Sequence, residues 1–170
     1  MVGVSTGAWV LADPQARVQA IREWTILPDF ASVNWHETGA EDVAAALLKL
    51  GVGVEAGLWN VDAVAAWLNS PQHDRCFRVL LELPDGLDEA ASTAMADRLL
   101  DLLGPGPGLP VLLHGQGSTC WSTLRHAARL GLLTRIGLED TLTMPDGSRA
   151  PDNTTLVEAA AAILLAEIGS

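Results

Sequence analysis

Arg135 stands four residues before Glu139 and five before Asp140, which brings one guanidinium and two carboxylates into a single short segment. If that segment is extended, alternation puts Arg135 and Glu139 on one face and turns Asp140 off it. An inward arginine beneath a carboxylate is costly unless the two pair, so the spacing points to an ion pair. Further polar groups follow short apolar runs elsewhere: Ser5 and Thr6, then Asn34, His36 and Glu37, then Glu55, Glu82 and His114. Each alone has an ordinary structural use, because Ser and Thr cap helices, exposed acids are solvated and a single histidine satisfies its neighbours. Gathered at one mouth, the acids would repel one another unless a cation neutralised them, and a metal ion or Arg135 is the natural candidate. His114-Gly115-Gln116-Gly117 adds glycines on either side of Gln116, where the backbone can come close to a ligand.

Those residues need elements to hold them, and the chain supplies a repeating unit of strand followed by helix. Val2–Thr6 precedes a helix over Pro14–Trp24, and Phe30–Trp35 precedes one with Val43, Ala46, Leu47 and Leu50 inward and Gly51 as its stop. Val52–Ala56 leads to Asn60–Leu68, with Asn60 as cap and Val61, Val64, Ala65 and Leu68 as the buried stripe. Cys76–Glu82 with Asp88–Leu103, Leu109–His114 with Thr119–Leu130, and Thr134–Leu138 with Asn153–Ile168 complete six βα units. The Gly/Pro-rich Gly104–Pro110 is short enough to be a joint between helix and strand rather than a domain linker.

Strict βα alternation with mainly apolar strands indicates a parallel sheet covered on both faces. No turn carries GxGxxG or GxxxxGK[ST], which favours a barrel over a doubly wound nucleotide binder. In α/β barrels the chemistry sits at the C-terminal strand ends, which is where the polar groups above are expected. His73 and His126 fall away from those ends and are given no role, and the scattered Trp9, Trp24, Trp35, Trp59, Trp67 and Trp121 read as packing residues.

At 170 residues and 49% apolar content the chain can bury a real core, and a single α/β domain is expected. A net charge of −11, with only 10 Lys and Arg, leaves no basic stripe for a nucleic acid. Cys76 and Cys120 have no paired spacing, no leader precedes the first strand, and the apolar run Ala159–Ala166 lies between Glu158 and Glu167. A reduced, cytoplasmic protein with no membrane association is the expectation.

Val4-Ser5-Thr6-Gly7, Ala31-Ser32-Val33-Asn34, the run Gly51–Gly57, His114-Gly115, Arg135-Ile136-Gly137-Leu138-Glu139-Asp140 and Ala150-Pro151-Asp152-Asn153 together resemble the β-keto acid cleavage enzymes. The founding type of that family is 3-keto-5-aminohexanoate cleavage enzyme. The likeness runs along the chain in order, and its most specific part is Arg-x-Gly-Leu-Glu-Asp with the Pro-Asp-Gly and Asn motifs that follow. It implies a TIM (βα)8-barrel, of which this chain would be one partial domain over residues 1–170 holding the third to eighth βα units. It also implies a zinc-dependent acyl exchange in which a β-keto acid and acetyl-CoA become acetoacetate and a new acyl-CoA, without a further organic cofactor. By the same resemblance Glu139 is a zinc ligand beside two histidines of a His-x-His motif, and zinc polarises the keto oxygen. Asp140 and Arg135 form the dyad that deprotonates and orients the substrate, Ser5 contacts it, and Thr6, Asn34, His114 and Gly115 join the substrate-binding set.

The sequence departs from the family in having no His-x-His, and Met1 falls where the family enters its third strand. Two βα units and two zinc ligands are therefore expected to be missing. Six strands cannot close an eight-stranded barrel, so the outer strands need a cover. That cover is a complementing chain or further copies of this one, unless the chain is a remnant. His36 and His114 are the candidates for rebuilding a zinc site with Glu139. Three readings stay open: an enzyme completed by a partner, a non-catalytic paralogue acting as structural or regulatory partner of a full-length homologue, and, on fold analogy alone, a small-molecule binding barrel.

Overall fold

Runs of β-branched and aliphatic residues, broken at regular intervals by glycine and polar turns, become strands whose connections carry amphipathic helices. The computed structural model describes residues 1–104 and 108–168. It is an α/β fold with a five-stranded parallel sheet. The strands are β1 (Gly3–Ser5), β2 (Phe30–Asn34), β3 (Gly53–Leu58), β4 (Arg78–Leu83) and β5 (Val111–Gly115). The helices are α1 (Pro14–Arg22), α2 (Ala40–Lys49), α3 (Val61–Leu68), α4 (Glu89–Leu103), α5 (Cys120–Arg129) and α6 (Asn153–Ile168). Within the Gly/Pro-rich stretch 104–110, residues 105–107 lie outside the described residues, and so does the reading of that stretch as a joint. No described helix is long and apolar enough to cross a membrane.

Packing divides the chain into two compact units. The first comprises the described residues of Met1–Leu80 and Leu102–Pro110, the second those of Leu81–Asp101 and Val111–Ser170.

In the first unit β1, β2 and β3 lie side by side in parallel, with Val4 opposite Ala31 and Ser32 opposite Glu55. The amide of Phe77 donates to the Val54 carbonyl at 2.7 Å, which aligns the approach to β4 with β3. Ala31, Val33, Val54, Ala56 and Leu58 are buried together with Val43 and Leu47 of α2 and Val64 and Trp67 of α3. Burying one side chain the size of Leu47 contributes about 1.5–3 kcal/mol, so this apolar layer is what holds the helices to the strands. Glu41 and Asp42 in the first turn of α2 and Lys49 in its last complement the helix dipole. The helix then stops where Gly51 takes a left-handed φ of 77°, while Val52 N–H reaches back to the Leu47 carbonyl at 3.1 Å. Asn60 caps α3 as the sequence indicates, its Oδ1 accepting from Ala63 N–H at 2.8 Å. All three residues of β1 are exposed, and the nearby Met1, Val2, Trp9 and Val10 also leave apolar surface uncovered.

In the second unit Gln116 N–H donates to the Leu83 carbonyl at 3.0 Å, joining the end of β5 to the end of β4. Helix α5 packs on β5, and α6 packs on α5 through Leu124, Leu156 and Ala160. The expected sixth strand, Thr134–Leu138, does not form. Leu133, just before it, makes a parallel bridge with Leu112, and the pairing stops there. Beyond Leu133 the chain closes into a turn in which Asp140 and Thr141 both donate to the Gly137 carbonyl, at 2.9 and 3.0 Å. A ladder with one neighbour gains too few hydrogen bonds to oppose that turn.

Because the α3 cap satisfies one of the helix's free N–H groups, Asn60→Ala should cost about 1 kcal/mol of stability, whereas Asn60→Asp should cost little. Urea unfolding followed by far-ultraviolet circular dichroism measures both.

Candidate active site

A carboxylate taken out of water stays charged only where a cation or several donors replace its hydration, at a cost of several kcal/mol if they do not. Glu55, Glu82 and Asp140 are buried, and Glu37 keeps only 9% of its side-chain surface. The candidate site is organised around how each of them is matched.

In the first unit Glu37 is matched by Arg17 of α1. Arg17 Nη1 donates to Glu37 Oε2 at 2.6 Å and to the Thr6 carbonyl at 3.3 Å, and Nη2 donates to the Thr38 carbonyl at 2.6 Å. Ala8 N–H donates to the same Glu37 oxygen at 2.9 Å, and Asn34 Nδ2 donates to Oε1 at 3.0 Å. A single buried arginine thus ties the turn after β1 to the turn after β2. Thr6 spends its hydroxyl on the Ser32 carbonyl at 2.7 Å. Of the expected substrate contacts in this unit, Thr6 and Asn34 are therefore buried in the framework, while Ser5 is exposed, its Oγ accepting only from Gly7 N–H at 3.4 Å. His36 is exposed and tilts against Trp59 with ring centroids 5.0 Å apart.

Glu55 does not end its strand. β3 continues through Ala56 and Gly57, paired with Val33 and Asn34, so Glu55 faces inward from the strand's interior. Its carboxylate accepts from Ser32 Oγ and from Arg78 Nε. Arg78 in turn sits 5.0 Å from the Phe30 ring centroid and 5.3 Å from that of Phe77, rings that stack on each other. The cation for this acid is therefore Arg78. Neither Arg17 nor Arg78 stands out in the sequence as functional; the available signal is that each interrupts an apolar pattern, Arg17 beside Val18 and Arg78 beside Val79.

In the second unit His114, Glu82, Asp140, Arg135 and Gln116 come together. The His114 side chain has no solvent exposure and lies between two acids, Nδ1 3.4 Å from Asp140 Oδ1 and Nε2 3.5 Å from Glu82 Oε2. Gln116 Nε2 donates to the other Glu82 oxygen. Asp140 Oδ1 accepts from Arg135 Nη2 at 2.7 Å and from Nε at 3.2 Å. Glu139 is 85% exposed and only reaches Arg135 at 4.0 Å. Arg135 pairs with Asp140 and not with Glu139 as alternation along a strand would have it, because the segment is a turn that folds Asp140 back over Arg135. Asn153 holds that turn by accepting from Leu138 N–H at 2.8 Å.

Burial opposes the charge on Arg135, but attraction and hydrogen bonding from Asp140 more than offset it and raise its pKa above the ordinary arginine value. Burial, then the Asp140 carboxylate, push the neighbouring Cys120 thiol up to about 12, so it is no nucleophile at neutral pH. Gly115 is required by packing. A Cβ there would lie 2.4 Å from Thr119 Oγ1 and 2.8 Å from the Thr119 backbone.

Three or four donors on one centre are what a zinc site needs. Among the described residues no group of three or more His, Cys, Asp and Glu gathers to hold a metal ion. Both His114 nitrogens face carboxylates, and Glu139 points to solvent. The residues present do not by themselves fit zinc.

A model of the beta-keto acid cleavage enzyme family matches residues 1–169. No curated protein matches the chain.

Removing Arg78 leaves Glu55 buried without its cation, so Arg78→Ala should cost about 3–5 kcal/mol, and pairing it with Glu55→Leu should recover much of that loss. Chemical unfolding of both variants is the check; equal losses would mean that Arg78 acts through packing on Phe30 and Phe77 alone.

Proposed function

The chain belongs to the beta-keto acid cleavage enzyme family, and on that premise we propose that it serves an acyl exchange between a β-keto acid and acetyl-CoA. In that reaction the bond between the keto carbon and its CH2 neighbour breaks, and the CH2 carbon bonds the acetyl carbon instead. The CoA sulfur passes to the displaced acyl group, so the products are acetoacetate and a new acyl-CoA.

The observation that carries the reading is the Arg135–Asp140 pair. Asp140 has 4% of its side-chain surface exposed and receives two hydrogen bonds from one guanidinium on one oxygen. A carboxylate held this way is oriented, as a base must be to take a proton from the carbon beside a keto group. Arg135 is its orienting partner, and Ser5, with its exposed hydroxyl, is the substrate contact in the first unit. The zinc that the family resemblance implies would take Glu139 as a ligand; since this chain's donors do not complete a site, no step is assigned to the metal. We propose that the chain is one domain of a barrel whose remaining strands lie outside residues 1–170, and that it works in the cytoplasm; Thr134–Leu138 has the composition of the sixth strand without forming it here.

A second reading is favoured by one specific feature, the lack of any His-x-His in the sequence. A paralogue without those ligands would act as a structural or regulatory partner of a full-length homologue.

Protein purified alone without chelator is expected to hold far less than stoichiometric zinc by elemental analysis; stoichiometric zinc that disappears in Glu139→Ala would mean that other donors complete the site. Mixed with a family fragment that carries His-x-His, the chain should release acetoacetate, and Asp140→Asn should slow that release by about 10²–10⁴-fold. A mixture no more active than its parts would overturn the enzymatic reading. Co-purification with a full-length homologue whose activity ignores Asp140→Ala would establish the second.

A further inference from the structure

Glu82 differs from the other three acids in having no arginine or lysine within ion-pair distance among the described residues. Its carboxylate meets Gln116 on one oxygen and the His114 ring on the other. Arg135 acts on it only at longer range. His114 in turn makes no hydrogen bond of good geometry at either nitrogen, although an acid stands within 3.5 Å of each. A buried imidazole with two open nitrogens is expensive unless the arrangement serves a purpose.

The ring approaches one particular oxygen. Asp140 Oδ1 lies 3.4 Å from His114 Nδ1 and is also the atom that accepts from Arg135 Nη2 and Nε. Asp140 Oδ2 accepts no hydrogen bond among the described residues. Gly137 stands beside it; a Cβ there would lie 3.9 Å from Oδ2, in ordinary van der Waals contact, so only glycine leaves that side of the oxygen without a side chain. Arg135 therefore holds Oδ1 by two hydrogen bonds with the His114 ring close beside it, while Oδ2 accepts none from the described residues.

Resting on the enzymatic reading above, we infer that Glu82, with Gln116, seats the His114 ring against Asp140 Oδ1, so that His114 and Glu82 are positioning residues that present Oδ2 as the atom that takes the substrate proton. β4 and β5 contribute this arm from two adjacent strand ends, since Glu82 and His114 are each the last residue but one of their strands. The histidine acts through Asp140, without contact to the substrate, which its complete burial denies it. Arg135 donates twice to the same oxygen, so the carboxylate cannot exchange its oxygens without breaking those hydrogen bonds and moving Oδ1 from the ring. Misplacing a reacting atom by about 1 Å costs about 10²-fold in rate, which is the scale at which such an arm matters.

The test has an arm that reads activity and an arm that does not. In the complemented mixture, His114→Leu should lower kcat for acetoacetate release by about 10²-fold with KM changed little. His114→Asn, whose amide nitrogen takes the place of Nδ1, should recover most of that loss, and Glu82→Gln should lower kcat less than His114→Leu. Equal impairment of His114→Leu and His114→Asn, or a rise in KM alone, would overturn the positioning role. In the full chain alone, the imidazole 15N resonances of His114 should move in both Glu82→Gln and Asp140→Asn; resonances that ignore either change would overturn the arm. If the wild-type mixture releases no acetoacetate, the enzymatic reading falls, and the resonances still decide whether the ring couples the two acids.

Discussion

A carboxylate loses its hydration when it is buried, and this chain withdraws three of them, and most of a fourth, from water. For three of the four the answer is an arginine. Arg17 of α1 meets Glu37 after β2, Arg78 of β4 meets Glu55 of β3, and Arg135 meets Asp140 across a turn. Such pairs add little net stability relative to apolar residues of the same size, but breaking one strands a charge. Turns that would otherwise be free to vary are thereby locked: Arg17 alone reaches Thr6, Glu37 and Thr38.

The two units use this device differently. In the first, the acids are consumed by structure, since both oxygens of Glu37 and of Glu55 carry hydrogen bonds from the chain. In the second, the matching is partial. Asp140 is bound at one oxygen, Glu82 relies on a neutral amide and an imidazole, and Glu139 remains in solvent. Unspent capacity of that kind is what a reacting group needs, and it is why the functional reading centres on residues 135–140 together with the ends of β4 and β5.

Elements with a single strand neighbour are where the fold thins. In the first unit β1 is three residues long and exposed throughout, with apolar side chains around it. In the second, the segment from Leu133 keeps one bridge and then turns. A parallel strand depends on neighbours on both edges for its hydrogen bonds and on both faces for cover. The remaining strands in the functional proposal would supply what these segments lack.

Alternation of strand and helix, the Asn60 cap, the Gly51 stop and the Arg135–Asp140 motif were legible in the sequence because they are local: each depends on residues a few positions apart and on intrinsic propensity. The family was legible for a related reason, since its motifs are short and ordered along the chain. Three things were not. The Thr134–Leu138 stretch has the composition of a strand but lacks a second neighbour, Glu55 has the look of a strand-end acid but sits inside a longer strand, and the cations for Glu37 and Glu55 come from residues about twenty positions away. By itself the sequence determined which segments become strands and helices and which chemical groups fall near their ends. Only the tertiary structure decided which acid meets which cation, and which oxygen of Asp140 stays free, because burial and hydrogen-bond geometry are set by contacts between residues that sequence order does not bring together.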